Sequence, residues 1–369
     1  MKIELKKSRK VIVKIGSSII NNSNDKRYLS NICNELSHLS HVGKDIVLVT
    51  SGAISEGMAA LNINDKPTDI KKLQALAAVG QQKLMLIYEK IFSNNDINTA
   101  QLLITHNDIN NRVSYLNIKG TIEELHLNRI IPIINENDVV STEEIKLGDN
   151  DNLASMIANL IEADLLIILT DQDGMYDKNP DKYADAKLIK ILNVNELKKY
   201  DSDFSTNSST GTGGFSTKIQ AVRRAALSGT RTLIANGYQK EIIKDIFNEN
   251  KFGTLFIPET KKISSKKQWL DTTENQCSVV IDEGACKALS QSNSLLFVGI
   301  THINGSFDKG DVINCLDQNN NCVAKGIVNY NSDEILLLKG KCSIDIKSEY
   351  HDRFTKEVIH ADNLIFIEI

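Results

Sequence analysis

Short, wholly apolar runs alternate through the first 258 residues with segments whose apolar positions recur every three to four residues. VIVKI (11–15), DIVLVT (45–50), TAQLLIT (99–105), RIIPII (129–134), ADLLIILT (163–170) and TRTLIA (230–235) have the length and β-branched content of strands. Between them, 26–41, 69–92, 111–126, 151–162 and 216–228 read as helices. In the first of these, Leu29, Ile32, Cys33, Leu36 and Leu39 fall on one face. Strands with no polar face must be covered on both sides. Their alternation with helices therefore predicts a three-layer α/β sandwich around a mostly parallel sheet. Ligands of such sheets bind beyond the carboxyl ends of the strands.

After Pro258 the pattern changes. Residues 259–275 begin with the polar, basic stretch ETKKISSKKQWLD and read as a linker. From 276 to 369, SVVID, SLLFVGI, DVINCL and CVAKGIVNY are β-type runs separated by turn pairs such as Asn304-Gly305 and Lys309-Gly310. They predict a second domain, a small β-rich barrel.

Composition narrows the class. The 369 residues are 41% hydrophobic and 24% charged with a net charge of −4, values of a soluble globular chain without an electrostatic case for nucleic acid or an anionic membrane. The region 276–369 is itself acidic, with 8 Lys and Arg against 13 Asp and Glu. The longest apolar runs, such as LLIIL at 165–169, fall far short of the ~18 residues that span a bilayer. The N-terminus has a basic stretch before an apolar one, but Lys14 interrupts the latter and no small-x-small site follows. It reads as a first strand, and the chain as cytoplasmic. None of Cys33, Cys277, Cys286, Cys315, Cys322 and Cys342 forms a C-x-x-C pair, so they read as buried free thiols of a reducing compartment. His38 and His41 sit among serines on an amphipathic helix and read as its solvated face.

Candidate chemistry collects at the strand ends. Lys14 precedes the small-residue turn Gly16-Ser17-Ser18, where an ammonium group and backbone N–H groups can meet a phosphate; the alternative is a surface lysine beside a turn. Ser51-Gly52 follows the second strand, either as a close approach to a bound anion or as a helix cap with Ser51 at the N-cap. Asn135-Glu136-Asn137-Asp138 follows IIPII, and Gly148-Asp149-Asn150-Asp151-Asn152 opens a helix. Acids and amides so crowded repel unless a cation sits among them: a substrate ammonium, a lysine or a metal. Asp151 is placed to orient a lysine. Thr170-Asp171-Gln172-Asp173-Gly174 follows the fifth strand, where a turn alone would explain Asp-Gly.

GTGGFSTK (211–218) differs from the P-loop pattern, because Lys218 follows Thr217 rather than glycine and precedes Ile219 rather than a hydroxyl. Its glycines and the helix that follows suit a bound polyphosphate, whose charge would also favour Lys218 in a first helical turn. A flexible loop with Ser216 as N-cap is the other reading.

Taken in order, Val13 to Ser18, Thr50 to Ile54, Ala78-Val79-Gly80-Gln81, Ile134 to Asp138, Gly148 to Asn152, Thr170 to Gln172 and Gly211 to Lys218 resemble the amino acid kinase family, and within it the enzymes that phosphorylate glutamate. Ser294 to Leu296, Gly305 to Phe307, Lys309 to Val312 and Asn329 to Ser332 resemble the PUA domain that many bacterial members carry. The resemblance implies that Lys14 and Lys218 stabilise the transferring phosphoryl group and that Asp151 positions both. It further implies that Ser51, Asp138 and Asn150 bind L-glutamate. ATP would be held by Lys14, Thr170, Asp171, Gly211, Thr212, Gly213, Gly214, Phe215, Ser216 and Thr217. Mg²⁺ would be carried mainly by phosphates and water, with no protein ligand.

Feedback by L-proline, a homo-oligomer and delivery of the acyl phosphate to glutamyl phosphate reductase are also implied. Similar folds phosphorylate aspartate, N-acetylglutamate, carbamate or UMP, and PUA domains elsewhere bind RNA, an activity that the acidic tail disfavours. Phe215 stands where methionine is common in the family, and Phe297-Val298 and Asp352-Arg353-Phe354 depart from the usual PUA pattern.

Overall fold

A computed structural model describes residues 5–20, 27–142, 150–178, 180, 183, 185–200, 215–248, 252–258, 277–291, 293–342, 345–346 and 357–367. The linker 259–275, Gly148-Asp149, Gly211 to Gly214 and Asp352 to Phe354 lie outside these residues. The chain divides into two compact units, Met1–Ile263 and Ser264–Ile369.

The first unit runs β1 (Lys10–Ile15), α1 (Ser17–Ile20), α2 (Arg27–His41), β2 (Asp45–Thr50), α3 (Ala53–Ala60), α4 (Ile70–Ser93), β3 (Thr99–Ile104), α5 (His106–Asn110), α6 (Arg112–Leu127), β4 (Ile131–Glu136), α7 (Asn150–Ile161), β5 (Leu165–Thr170), β6 (Ile191–Asn193), α8 (Phe215–Ala226), β7 (Arg231–Asn236), α9 (Ile242–Phe247) and β8 (Thr254–Ile257). Its sheet has the order β3-β4-β2-β1-β5-β7-β8-β6. Pairing is parallel from β3 through β7; β8 turns antiparallel to β7, and β6 runs parallel to β8.

Alternation along the central strands sorts side chains to two faces. Val11, Val13 and Ile15 of β1 pack with Leu29, Ile32 and Leu36 of α2, Leu84 and Tyr88 of α4, and Ile242 and Ile246 of α9. Ile12 and Lys14 therefore point to the opposite face, where α7 lies against β1 and α8 against α7. Every residue of α7 is buried, so this helix is an inner element whose polar N-terminal turn has to find protein or ligand partners.

Several local expectations change. Asn135 and Glu136 are the last residues of β4 rather than a loop after it, because they continue the ladder with Leu103 and Ile104 of β3. The N-cap of α3 is Gly52, not Ser51; its φ of 96° is left-handed, and a Cβ there would approach Ile20 to 2.8 Å. α8 begins at Phe215, which places Ser216 within its first turn instead of at the cap. Of the thiols, Cys33 and Cys315 are buried while Cys277, Cys286, Cys322 and Cys342 are partly exposed, and none of the six is in a disulfide.

The second unit contains β9 (Ser278–Ile281), α10 (Glu283–Ser290), β10 (Ile300–Asn304), β11 (Val312–Leu316), β12 (Cys322–Ile327), α11 (Ser332–Leu338) and β13 (Leu364–Phe366). Its strands make a mixed five-stranded sheet, ordered β10-β9-β11-β12-β13, around Ile281, Ile313, Ile335 and Val358. This strand-rich unit is the small second domain expected from the sequence. No described helix is long and apolar enough to cross a membrane.

α3 and α4 meet at backbone distance through Gly57 and Gly80: a Cβ on Gly80 would fall 1.7 Å from the carbonyl oxygen of Ala53, and one on Gly57 2.0 Å from that of Leu76. Gly80→Ala must push the helices apart and is expected to cost ~2–3 kcal/mol or more. A urea unfolding midpoint equal to that of the unsubstituted chain would refute this contact.

Candidate active site

Lys14, near the end of β1, is only 5% exposed, and Lys218 in the first turn of α8 is 8% exposed. Both reach one carboxylate: Lys14 Nζ lies 2.5 Å from Asp151 Oδ1 and Lys218 Nζ 3.1 Å from Asp151 Oδ2. Thr217 Oγ1 also donates to Asp151 Oδ2, at 3.1 Å. Strand alternation directs Lys14 to the α7 side, the second position of α7 supplies the acid, and α8 crosses α7 to deliver the second lysine. Burial works to raise the Asp151 carboxyl, but Lys14 and Lys218 outweigh it and hold the group at about 2.

Two buried cations thus share a single carboxylate and concentrate positive charge at the carboxyl edge of the sheet. Such charge is costly unless an anion shares it. The N-terminal end of α8 adds the positive end of its helix dipole to the same field.

Beside the triad lies a chain of amides. Asn150, the first residue of α7, shares the two Nδ2 hydrogens among three acceptors, the Thr50 carbonyl, Ser51 Oγ and Asn135 Oδ1, each at 2.9 Å. Asn135 donates in turn to Gln81 Oε1 on α4 at 2.8 Å, and its Oδ1 also accepts the Glu136 N–H at 2.9 Å. Asp138 is 6% exposed, and its turn is held to α4 by Gln74 Nε2, which donates to the carbonyls of Asp138 and Val139. Thr50 Oγ1 lies 2.7 Å from the Tyr88 hydroxyl, tying the end of β2 to α4.

On the other flank, Thr170 ends β5 and its Oγ1 donates to Asp171 Oδ1 at 3.0 Å. The Gly16 N–H donates to Leu169 O at 3.0 Å, so the turn after β1 sits directly against this strand end.

The structure thus brings Lys14, Asp151, Thr217 and Lys218 together, and separately joins Ser51 to Asn150. Phe215 and Ser216 open the helix that carries Lys218, while Asp138 follows β4 and Thr170 and Asp171 lie at the end of β5, with β2 and β1 between those two strands. The motifs containing Asn135 and Gln81 were visible, but the linking role of these two side chains was not. Gln81 is the polar member of an otherwise apolar buried stripe of Leu73, Leu76, Ala77, Gly80, Leu84 and Tyr88 on α4. A glutamine on such a stripe is the signal that could have marked it.

Two lysines on an inner acid at the carboxyl edge of a parallel sheet can meet the charge of an anion such as a phosphoryl group. Residues 9–236 match the model of the amino acid kinase family, and residues 278–350 that of the PUA domain. The chain belongs to the amino acid kinase family and carries a PUA domain. It is 40% identical to Glutamate 5-kinase of Nitrosospira multiformis over 100% of both chains. It is 42% identical to Glutamate 5-kinase of Caldanaerobacter subterraneus subsp. tengcongensis over 97% of this chain and 98% of the relative. The Janthinobacterium sp. Glutamate 5-kinase is 41% identical over 98% of this chain and 99% of its own.

The charge balance has a measurable signature. Because the folded-state pKa of Asp151 lies below the unfolded value of about 3.9, its ionisation stabilises the fold above that value, and the contribution is lost as pH falls towards about 2. The loss is expected to be on the order of 2 kcal/mol across that window. Asp151→Asn, which leaves both lysines buried without their acid, is expected to lose ~3–5 kcal/mol at neutral pH and to lack this acid-dependent component. Urea unfolding at several pH values checks both; an acid slope unaltered by the substitution would contradict the assignment.

Proposed function

We propose that this chain transfers the γ-phosphoryl group of ATP to the side-chain carboxylate of L-glutamate, giving γ-glutamyl phosphate, the activated acid from which proline is made. The observation that carries the proposal is the buried pair Lys14 and Lys218 sharing Asp151. A carboxylate with a pKa near 4.3 is already ionised and nucleophilic at pH 7, so this reaction needs no strong base. Asp151 is unsuited to be one, since both of its oxygens face lysines. What the reaction does need is alignment of two anions and relief of the charge that builds on the transferring group. Lys14 and Lys218 supply that relief, and Asp151 keeps the two ammonium groups at a fixed separation.

Ser51, Asn150 and Asp138 hold the glutamate, with the Asp138 carboxylate suited to its ammonium. Thr170, Asp171 and the segment entering α8 receive the nucleotide, whose phosphates then face the helix N-terminus. Mg²⁺ would neutralise phosphate charge as part of the ATP complex. With the Asp151 oxygens committed to lysines, the ion would be held by phosphate oxygens and water. L-proline, which also carries an ammonium beside a carboxylate, fits the Asp138 end as a feedback ligand.

ATP-dependent hydroxamate formation in hydroxylamine, run with glutamate, aspartate and N-acetylglutamate, tests the proposal. Product from glutamate is expected, and product only from another acid would overturn the substrate assignment. Lys14→Met and Lys218→Met are each expected to lower kcat by ~10²–10³-fold or more with the glutamate KM changed little. Asp138→Asn is expected to raise the glutamate KM by about 10–100-fold with a smaller effect on the ATP KM. Equal effects on both substrates would argue against ammonium recognition.

A further inference from the structure

Gln81 belongs to none of the roles assigned so far, yet it is 8% exposed and sits at the end of the amide chain. The orientation of that chain is fixed at two main-chain groups. The Thr50 carbonyl can only accept, so the group of Asn150 facing it must be the amide nitrogen. The Glu136 N–H can only donate, so the Asn135 atom facing it must be the amide oxygen. Asn135 therefore presents its nitrogen to Gln81, and Gln81 must answer with its oxygen. Its Nε2 is left with two N–H donors, is buried, and makes no hydrogen bond among the described residues.

A buried, unpartnered donor beside a binding site is expensive unless a ligand completes it. The position of Gln81 indicates which part of the ligand. Asn150 adjoins Asp151, and hence the phosphoryl end; Asn135 and Gln81 lie successively further along the amide chain. Seven residues earlier on the same face of α4, Gln74 holds the main chain of Asp138 and Val139. Gln81 thus belongs to the end of the site where Asp138 meets the ammonium, and where the neighbouring group of an α-amino acid is its α-carboxylate.

We propose that Gln81 is a substrate-binding and specificity residue whose Nε2 donates to the α-carboxylate of the amino-acid substrate. The proposal rests on glutamate being that substrate. It makes the enzyme prefer an intact α-amino acid over an ω-amino acid that has the same ammonium and the same reacting carboxylate.

The test is a cycle between protein and ligand. γ-Aminobutyrate is glutamate without its α-carboxylate, and it is used as a competitive inhibitor. Gln81→Glu keeps an oxygen towards Asn135 but places negative charge where the donor stood; Gln81→Met removes donor and acceptor together. Both variants are first checked for ATP binding and for the far-ultraviolet circular dichroism of the unsubstituted chain.

The glutamate KM is expected to rise about 10–100-fold in Gln81→Glu, with the inhibition constant of γ-aminobutyrate shifted less than about threefold. In Gln81→Met the two ligands are expected to lose affinity unequally in the same sense. Equal losses for glutamate and γ-aminobutyrate in both variants would overturn the proposal and leave Gln81 a scaffold residue. An unsubstituted chain that binds ATP but yields no product from glutamate would instead fell the substrate assignment, and this inference with it.

Discussion

The shared carboxylate of Asp151 is the constraint around which the first unit is organised. Two lysines from distant parts of the chain are buried against one acid, an arrangement that water would otherwise dissolve and that hydrophobic packing alone would not choose. Buried ion pairs of this sort rarely increase stability over a packed apolar core. Under the proposed function their persistence is preorganisation: positive charge would already be desolvated and aimed before a phosphate arrives, so little reorganisation would remain when the reaction begins.

Holding that geometry requires a rigid mount, which explains features remote from the chemistry. α7 is buried throughout, with its N-terminal turn directed at the ends of the central strands. The pleat of β1 sends Lys14 to the face that α7 occupies, while its neighbours Val13 and Ile15 anchor the strand in the opposite layer. The close crossing of α3 and α4 holds α4 in place, and through Gln81 and Asn135 the same helix reaches Asn150. Packing and polar network are thus parts of one frame: α4 orients the amides, the amides orient the first residue of α7, and the next residue of α7 orients the lysines.

Much of this frame was legible in the sequence. The six long strands of the main sheet and the helices between them follow from period and length, because strands buried on both faces leave so plain an apolar signal. Lys14, Asp151 and Lys218 stood out as charges at strand and helix ends. Short strands such as β6 and β8 carry too few residues for a pattern, and their direction depends on neighbours rather than on local preference. Asn135 and Glu136 looked like loop because they are polar, whereas the ladder with β3 keeps them in the strand. The amide chain was illegible for a different reason: which nitrogen faces which oxygen is decided by main-chain groups that meet the amides only in the fold, the carbonyl of Thr50, a hundred residues from Asn150, and the N–H of Glu136.

The central claim is that Lys14 and Lys218 act on the phosphoryl group in transfer rather than on ATP or the fold in general. Inhibition by ADP with aluminium fluoride, a mimic of that group in flight, measures this most directly. The account predicts tight, glutamate-dependent inhibition that is lost in Lys218→Met while the affinity for ADP alone changes little. Inhibition equally tight in the variant, or lost only in proportion to ADP affinity, would contradict it.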